Sequence, residues 1–195
     1  MVKLLSKKGE KRMYNTSIEV RESEENQPKV LEGYAAVFNQ RTTIEGYFEE
    51  MILPGAFSKT LTENKDVIAL VNHNFDNVLG RTSNALLKLF EDDYGLKFEL
   101  HIPEDDEYAA QIYKKVKNGN LKDCSFLFLE VVEEWDYSTE LPLRILHEVD
   151  LIEISLVTLP AYEGTEVSAR SKAKASNGAQ RTQMKNKIKH LLGDK

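Results

Sequence analysis

From Asn15 to Thr158 the chain is a succession of short apolar or aromatic segments, each closed by turn residues. "NTSIEVR" (15–21) alternates polar and apolar positions, the two-residue period of a half-buried strand. "VLEGYAAVF" (30–38), "YFEEMIL" (47–53), "VIALV" (67–71), "ALLKLF" (85–90) and "LKFELHI" (96–102) have strand length and composition, and "EDDYG" (91–95) between the last two reads as a hairpin loop. "CSFLFLEVVEEW" (124–135) and "RILHEVDLIEISLVT" (144–158) are the longest candidates, the second being two strands or one bent strand because Asp150 interrupts it. Helical patterning is confined to "EDDEYAAQIYKKVKNG" (104–119) and to a shorter stretch, 55–64. In the first, Tyr108, Ala109, Ile112, Tyr113 and Val116 form one stripe, with acidic residues in the first turn, lysines in the last and Gly119 as the stop. Strands therefore do not alternate regularly with helices, which argues against a doubly wound parallel sheet. The pattern predicts a mainly β, α+β fold: a closed or nearly closed antiparallel barrel with peripheral helices.

The length, 195 residues, suits one domain. Charge divides it. Residues 171–195 hold seven Lys or Arg and one acidic residue, a net +6, so the rest carries about −12 of the overall −6. The organisation expected is a mobile segment over 1–13, a domain over 14–170, and a tail over 171–195. That tail begins linker-like and ends in a basic amphipathic stretch carrying Met184, Ile188, Leu191 and Leu192. The acidic balance argues against a broad nucleic-acid surface. A single cysteine, Cys124, rules out an internal disulfide. No apolar run approaches the ~20 residues of a membrane-spanning helix, and the basic start lacks a signal-peptide core. The expectation is a chain working inside a cell or inside an assembly built there.

No metal or phosphate motif is present: His73, His101, His147 and His190 are scattered, and there is no GxxxxGK[ST] or GxGxxG. No cofactor is expected. Nucleophilic catalysis needs a serine or cysteine, an imidazole and a group that orients the imidazole. Three residues have suggestive settings. His73 follows the apolar run "VIALV" in the polar, Asn-rich "NHNFDN". Ser125 opens the strand "SFLFL". Glu153 lies inside an apolar strand and shares a face with Ser155 and Val157, so if that face is buried its carboxylate needs a cationic or hydrogen-bonding partner. Local context alone favours an ordinary role for each: a loop histidine, a strand-end serine bonded to backbone, and a carboxylate on a solvated sheet face.

Taken together, "LEGYAAVF", "YFEEMILPGAF", "VIALVNHNFDNVLGR", "YGLKFELHIP", "VKNGNLKDCSFLF" and "LIEISLVTLPAYEGTEV" resemble, in order and spacing, the tailed-phage prohead (capsid maturation) serine proteases of the HK97-like family. These are distantly related to the herpesvirus assemblins. The resemblance covers about residues 14–170. It implies an assemblin-type barrel, with the histidine at His73, the serine nucleophile at Ser125 and the acidic position at Glu153. Assemblins have a second histidine at that third position. The family often has Gly two residues after the serine, where this chain has Leu127. Oxyanion donors are implied around Leu159–Tyr162.

The implied activity is a serine endopeptidase working in the host cytoplasm inside the assembling procapsid. It would cut scaffolding segments of the major capsid protein, or a separate scaffold protein, and itself, with removal of the tail by self-cleavage and possible homo-oligomerisation. No membrane and no specific nucleic acid is implied as a partner. Cys124 is the rival nucleophile, but neighbouring strand residues face opposite ways, so only one of Cys124 and Ser125 can meet His73. The competing class is a non-enzymatic capsid scaffold or assembly factor of the same fold. A small esterase-like hydrolase is a third, and the absence of GxSxG argues against its usual form.

Overall fold

The structure, a computed structural model, describes residues 9–14, 18–21, 29–44 and 46–158. Eleven strands and two helices follow in chain order among these residues: β1 (Glu10–Tyr14), β2 (Ile18–Arg21), β3 (Lys29–Val37), β4 (Thr42–Ile44), β5 (Phe48–Ile52), α1 (Ser58–Thr62), β6 (Ile68–Val71), β7 (Asn74–Arg81), β8 (Leu87–Glu91), β9 (Gly95–Ile102), α2 (Glu107–Lys117), β10 (Asp123–Asp136) and β11 (Leu143–Val157). One sheet has the order β1-β10-β11-β5-β4, with β6 also on β11 and β7 on β6. The second has the order β2-β3-β9-β8. Leu31, Phe98, Leu100, Phe126, Phe128, Ile154 and Leu156 belong to one buried core.

The expected strands form, but the expectation of an all-antiparallel arrangement is corrected. β11 runs parallel to β5 at Leu143–Leu146 and parallel to β6 at Glu153–Leu156. A hairpin sets the antiparallel β10–β11 pair, whereas β5 and β6 reach the other side of β11 from far away in sequence, which local patterning does not reveal. β5 and β6 lie end to end along β11, and α1 fills the gap between them. The Thr60 hydroxyl donates to the Val149 carbonyl (3.1 Å) and accepts from the Leu151 N–H (3.1 Å), while the Val149 N–H donates to the Ala56 carbonyl (2.8 Å). The backbone of β11 thus keeps its partners where no strand lies alongside it. β11 is one strand, bent through register shifts against β10, and Asp150 within it pairs with Lys65 at 2.8 Å.

α2 starts later than the pattern suggested, because Asp106 caps it by accepting from the Ala109 N–H (2.9 Å). It buries Ala109, Ile112, Tyr113 and Val116 and ends at Lys117, two residues before Gly119, whose φ of 72° few other residues adopt without cost.

The segment expected to be mobile to residue 13 is in part a strand: β1 pairs antiparallel with β10, Arg12 opposite Phe126 and Met13 opposite Ser125. Ion pairs hold it. Buried Glu50 accepts from Arg12 Nε (2.5 Å) and from Arg144 (3.1 Å), and Glu10 accepts from both arginines (2.5 and 2.6 Å). Residues 1–8 and the predicted tail, 171–195, lie outside the described residues. No helix among the described residues is long and apolar enough to cross a membrane.

Candidate active site

The three residues singled out in the sequence come from β10, from β11 and from the turn that follows β6, the strand beside β11. The histidine comes from a tight connection. β6 ends at Val71, β7 starts at Asn74, and the two residues between them, Asn72 and His73, have φ of 52° and 57°. Positive φ at both central residues is the mark of a type I′ hairpin turn. His73 is therefore not in a broad polar loop; it is the second corner residue of a two-residue turn. The turn is tied to the end of β11: the Asn72 N–H donates to the Leu156 carbonyl (3.0 Å), and the Asn72 side-chain oxygen accepts from the Thr158 N–H (3.2 Å).

Ser125 is the third residue of β10 and stands opposite Ser155 of β11; Glu153 lies two residues before Ser155 on the same face. The atoms meet. His73 Nε2 is 2.8 Å from Ser125 Oγ, and His73 Nδ1 is 2.6 Å from Glu153 Oε1. Ser125, Glu153 and Ser155 are fully buried, and the His73 side chain is 10% exposed. The structure thus brings together all three sequence candidates, 52 and 80 residues apart.

A carboxylate beside Nδ1 can only accept, so Nδ1 carries a proton and neutral His73 presents a lone pair at Nε2. That is the tautomer able to take a proton from Ser125. The second oxygen of Glu153 is also satisfied, because the Ser155 hydroxyl donates to Oε2 at 2.6 Å. The buried carboxylate therefore has a donor on each oxygen. Ser125 has a further neighbour that no local pattern announces: the Arg12 carbonyl of β1, 2.7 Å from Oγ. One hydroxyl proton faces two acceptors. It lies towards Nε2 when His73 is neutral and towards the Arg12 carbonyl when His73 carries both ring protons.

Cys124 is excluded from this arrangement. It faces the other side of β10, fully buried, and burial, reinforced by the Glu153 charge, pushes its thiol well above the ordinary range. Leu127 is half-buried beside Gly9, where an added Cβ would come within 2.9 Å of a Leu127 methyl. Among the described residues no group of three His, Cys, Asp or Glu side chains is placed to hold a metal ion. The Leu159–Tyr162 stretch, where oxyanion donors were expected, lies outside the described residues.

A family model described as caudovirus prohead serine protease matches residues 16–180. Among curated proteins, the chain is 30% identical over 114 residues to the prohead protease of Escherichia phage T5, covering 58% of this chain and 49% of that one. It is 30% identical over 143 residues to the prohead protease of Enterobacteria phage HK97, covering 72% and 59%. The chain thus spans about half the length of these relatives. Among solved structures, the capsid assembly protease of bacteriophage T4 superposes with a TM-score of 0.55 at 10% identity, over 80% of this chain and all of that one. At that identity the likeness concerns the fold alone.

Proposed function

The chain belongs to the caudovirus prohead serine protease family, and from that membership we propose that it is a serine endopeptidase of phage capsid maturation. The observation that carries the reading is the unbroken hydrogen-bond chain Ser125–His73–Glu153, from two adjacent strands and the turn that follows a third. In this mechanism Ser125 Oγ attacks the scissile carbonyl as Nε2 of His73 removes its proton. His73 then returns that proton to the leaving amine. Glu153 holds the imidazole in the required tautomer and stabilises its charged form. The β-rich fold would be of the assemblin barrel type, a reading supported by the two sheets around one core and the likeness to the T4 protease.

The substrates would be scaffolding segments of the major capsid protein or a scaffold protein, and the enzyme itself, inside the procapsid in the host cytoplasm. Residues 171–195 would tether the enzyme there and be removed by self-cleavage. Mass spectrometry of the protein from assembled particles tests this: a C-terminus intact at Lys195 sinks the self-cleavage.

The decisive experiment co-expresses the chain with its capsid precursor and follows precursor cleavage. Ser125→Ala, His73→Ala and Glu153→Gln should each lower the cleavage rate roughly a thousandfold or more. Cleavage by Ser125→Ala at the unsubstituted rate overturns the serine mechanism. Normal capsid maturation with Ser125→Ala and His73→Ala together favours the non-enzymatic scaffold.

A further inference from the structure

Ser155 is not one of the three groups that a serine mechanism requires, yet its hydroxyl touches two of their residues. It donates to Glu153 Oε2 at 2.6 Å and accepts from the His73 backbone N–H at 3.0 Å. A hydroxyl has one proton and two lone pairs, so it makes both bonds at once. We propose that Ser155 is a positioning residue that fixes both ends of the Nδ1···Oε1 bond from a single oxygen. The inference rests on the reading of Ser125 as nucleophile and deepens it.

Two features give the contact its force. The first is the carboxylate. Glu153 is fully buried, and its two oxygens divide their donors, Nδ1 on Oε1 and Ser155 on Oε2. Without the hydroxyl, Oε2 loses its donor, and the carboxylate is free to rotate away from the orientation that keeps Oε1 on the imidazole. The second is the backbone. Asn72 and His73 are consecutive non-glycine residues at positive φ. Each such residue is strained and persists only where its surroundings over-determine it. The end of β11 supplies those surroundings. The Leu156 carbonyl and Thr158 N–H hold Asn72, and Ser155 alone of the three touches His73 itself. One side chain therefore sets the direction of the carboxylate and the height of the imidazole above the sheet. Small displacements of a general base are expensive, since an error of about 1 Å costs up to roughly a hundredfold in rate.

The test uses the full chain cleaving its precursor, or a peptide spanning a cleaved site. Ser155→Ala should lower kcat roughly 10- to 100-fold while KM stays within about twofold. Ser155→Thr, which restores the hydroxyl, should stay within about threefold of the unsubstituted chain where it folds. Glu153→Ala removes one of the two groups through which Ser155 acts and leaves the bond to the His73 backbone. Adding Ser155→Ala to that variant should therefore cost clearly less than it does in the unsubstituted chain.

The proposal is overturned if Ser155→Ala turns over normally, if its loss is as large in the Glu153→Ala background, or if the loss merely follows a smaller folded fraction. A proton NMR measurement is independent of turnover. The Nδ1–H resonance, far downfield of the amides when bonded to Glu153, should shift upfield or vanish in Ser155→Ala. An unchanged resonance also overturns the proposal. If Ser125→Ala cleaves normally, the reading of Ser125 as nucleophile fails instead, and the resonance still decides whether Ser155 positions the pair.

Discussion

Cys124 and Ser125 are neighbours on β10, and the pleat sends one into the core and the other to His73. A thiolate is the better nucleophile, but here the thiol is buried and its ionisation suppressed by burial and by Glu153. Cys124→Ala should therefore leave precursor cleavage within about twofold and cost roughly 1 kcal/mol of stability for the lost packing. A thiol-directed alkylating agent should fail to inhibit the native protein. Inhibition abolished by Cys124→Ala would contradict this. Glu153 was legible as an unusual residue from the sequence, because a carboxylate in "LIEISLV" needs a partner if the strand is buried. Its shared face with Ser155 was legible too. The hydroxyl's second bond, to the His73 backbone, was not, since it depends on β6 lying beside β11.

At the scale of the element, β1 shows what apolar patterning misses. The stretch "EKRMY" offers charge where a strand detector looks for alternating apolar residues, and its register is set by Arg12 and Glu10 meeting Glu50 and Arg144. Burial opposes the charge on both arginines. The surrounding carboxylates outweigh it and hold both guanidiniums firmly protonated. Glu50 is the centre of this network, fully buried and shared by both cations. Glu50→Ala leaves two buried guanidiniums short of an anion and should cost about 3–5 kcal/mol in chemical denaturation. It should also slow cleavage of folded protein, because the network anchors the strand whose Arg12 carbonyl lies against Ser125. A loss under about 1 kcal/mol would show that the network contributes little. β10, β11 and α2, by contrast, were readable, since apolar runs and a capped stripe announce themselves locally. The parallel neighbours of β11 were not, because each arrives from a distant part of the chain. The three-residue site was found only through the family resemblance; local patterning could place each residue but not bring them together.

At the scale of the whole molecule, these charges make stability depend on pH in a definite direction. Burial works against ionisation of Glu10, but Arg144 and Arg12 outweigh it and hold its carboxyl below the ordinary glutamate value of 4.5. Asp66, bonded by Ser83 and Arg81, and Asp92, bonded by the Tyr34 hydroxyl, are held below the ordinary aspartate value of 3.8. Each of these groups binds its proton more tightly in the unfolded chain than in the folded one. Their contributions are therefore complete above about pH 4.5 and are lost as pH falls through the lowered folded-state values. The urea midpoint should be nearly flat from pH 8 to 6 in respect of these groups and should fall steeply below about pH 4.5. Asp66 and Asp92 are at the surface, so added salt should weaken their share of the slope. Glu10 lies among the buried arginines, and its share should resist salt. Glu10→Gln should then flatten the acid limb at high salt more clearly than Asp66→Asn. The opposite order would place the acid-sensitive charges outside the β1–β11 network, and a midpoint unchanged down to pH 3 would show that none of these carboxylates contributes to stability.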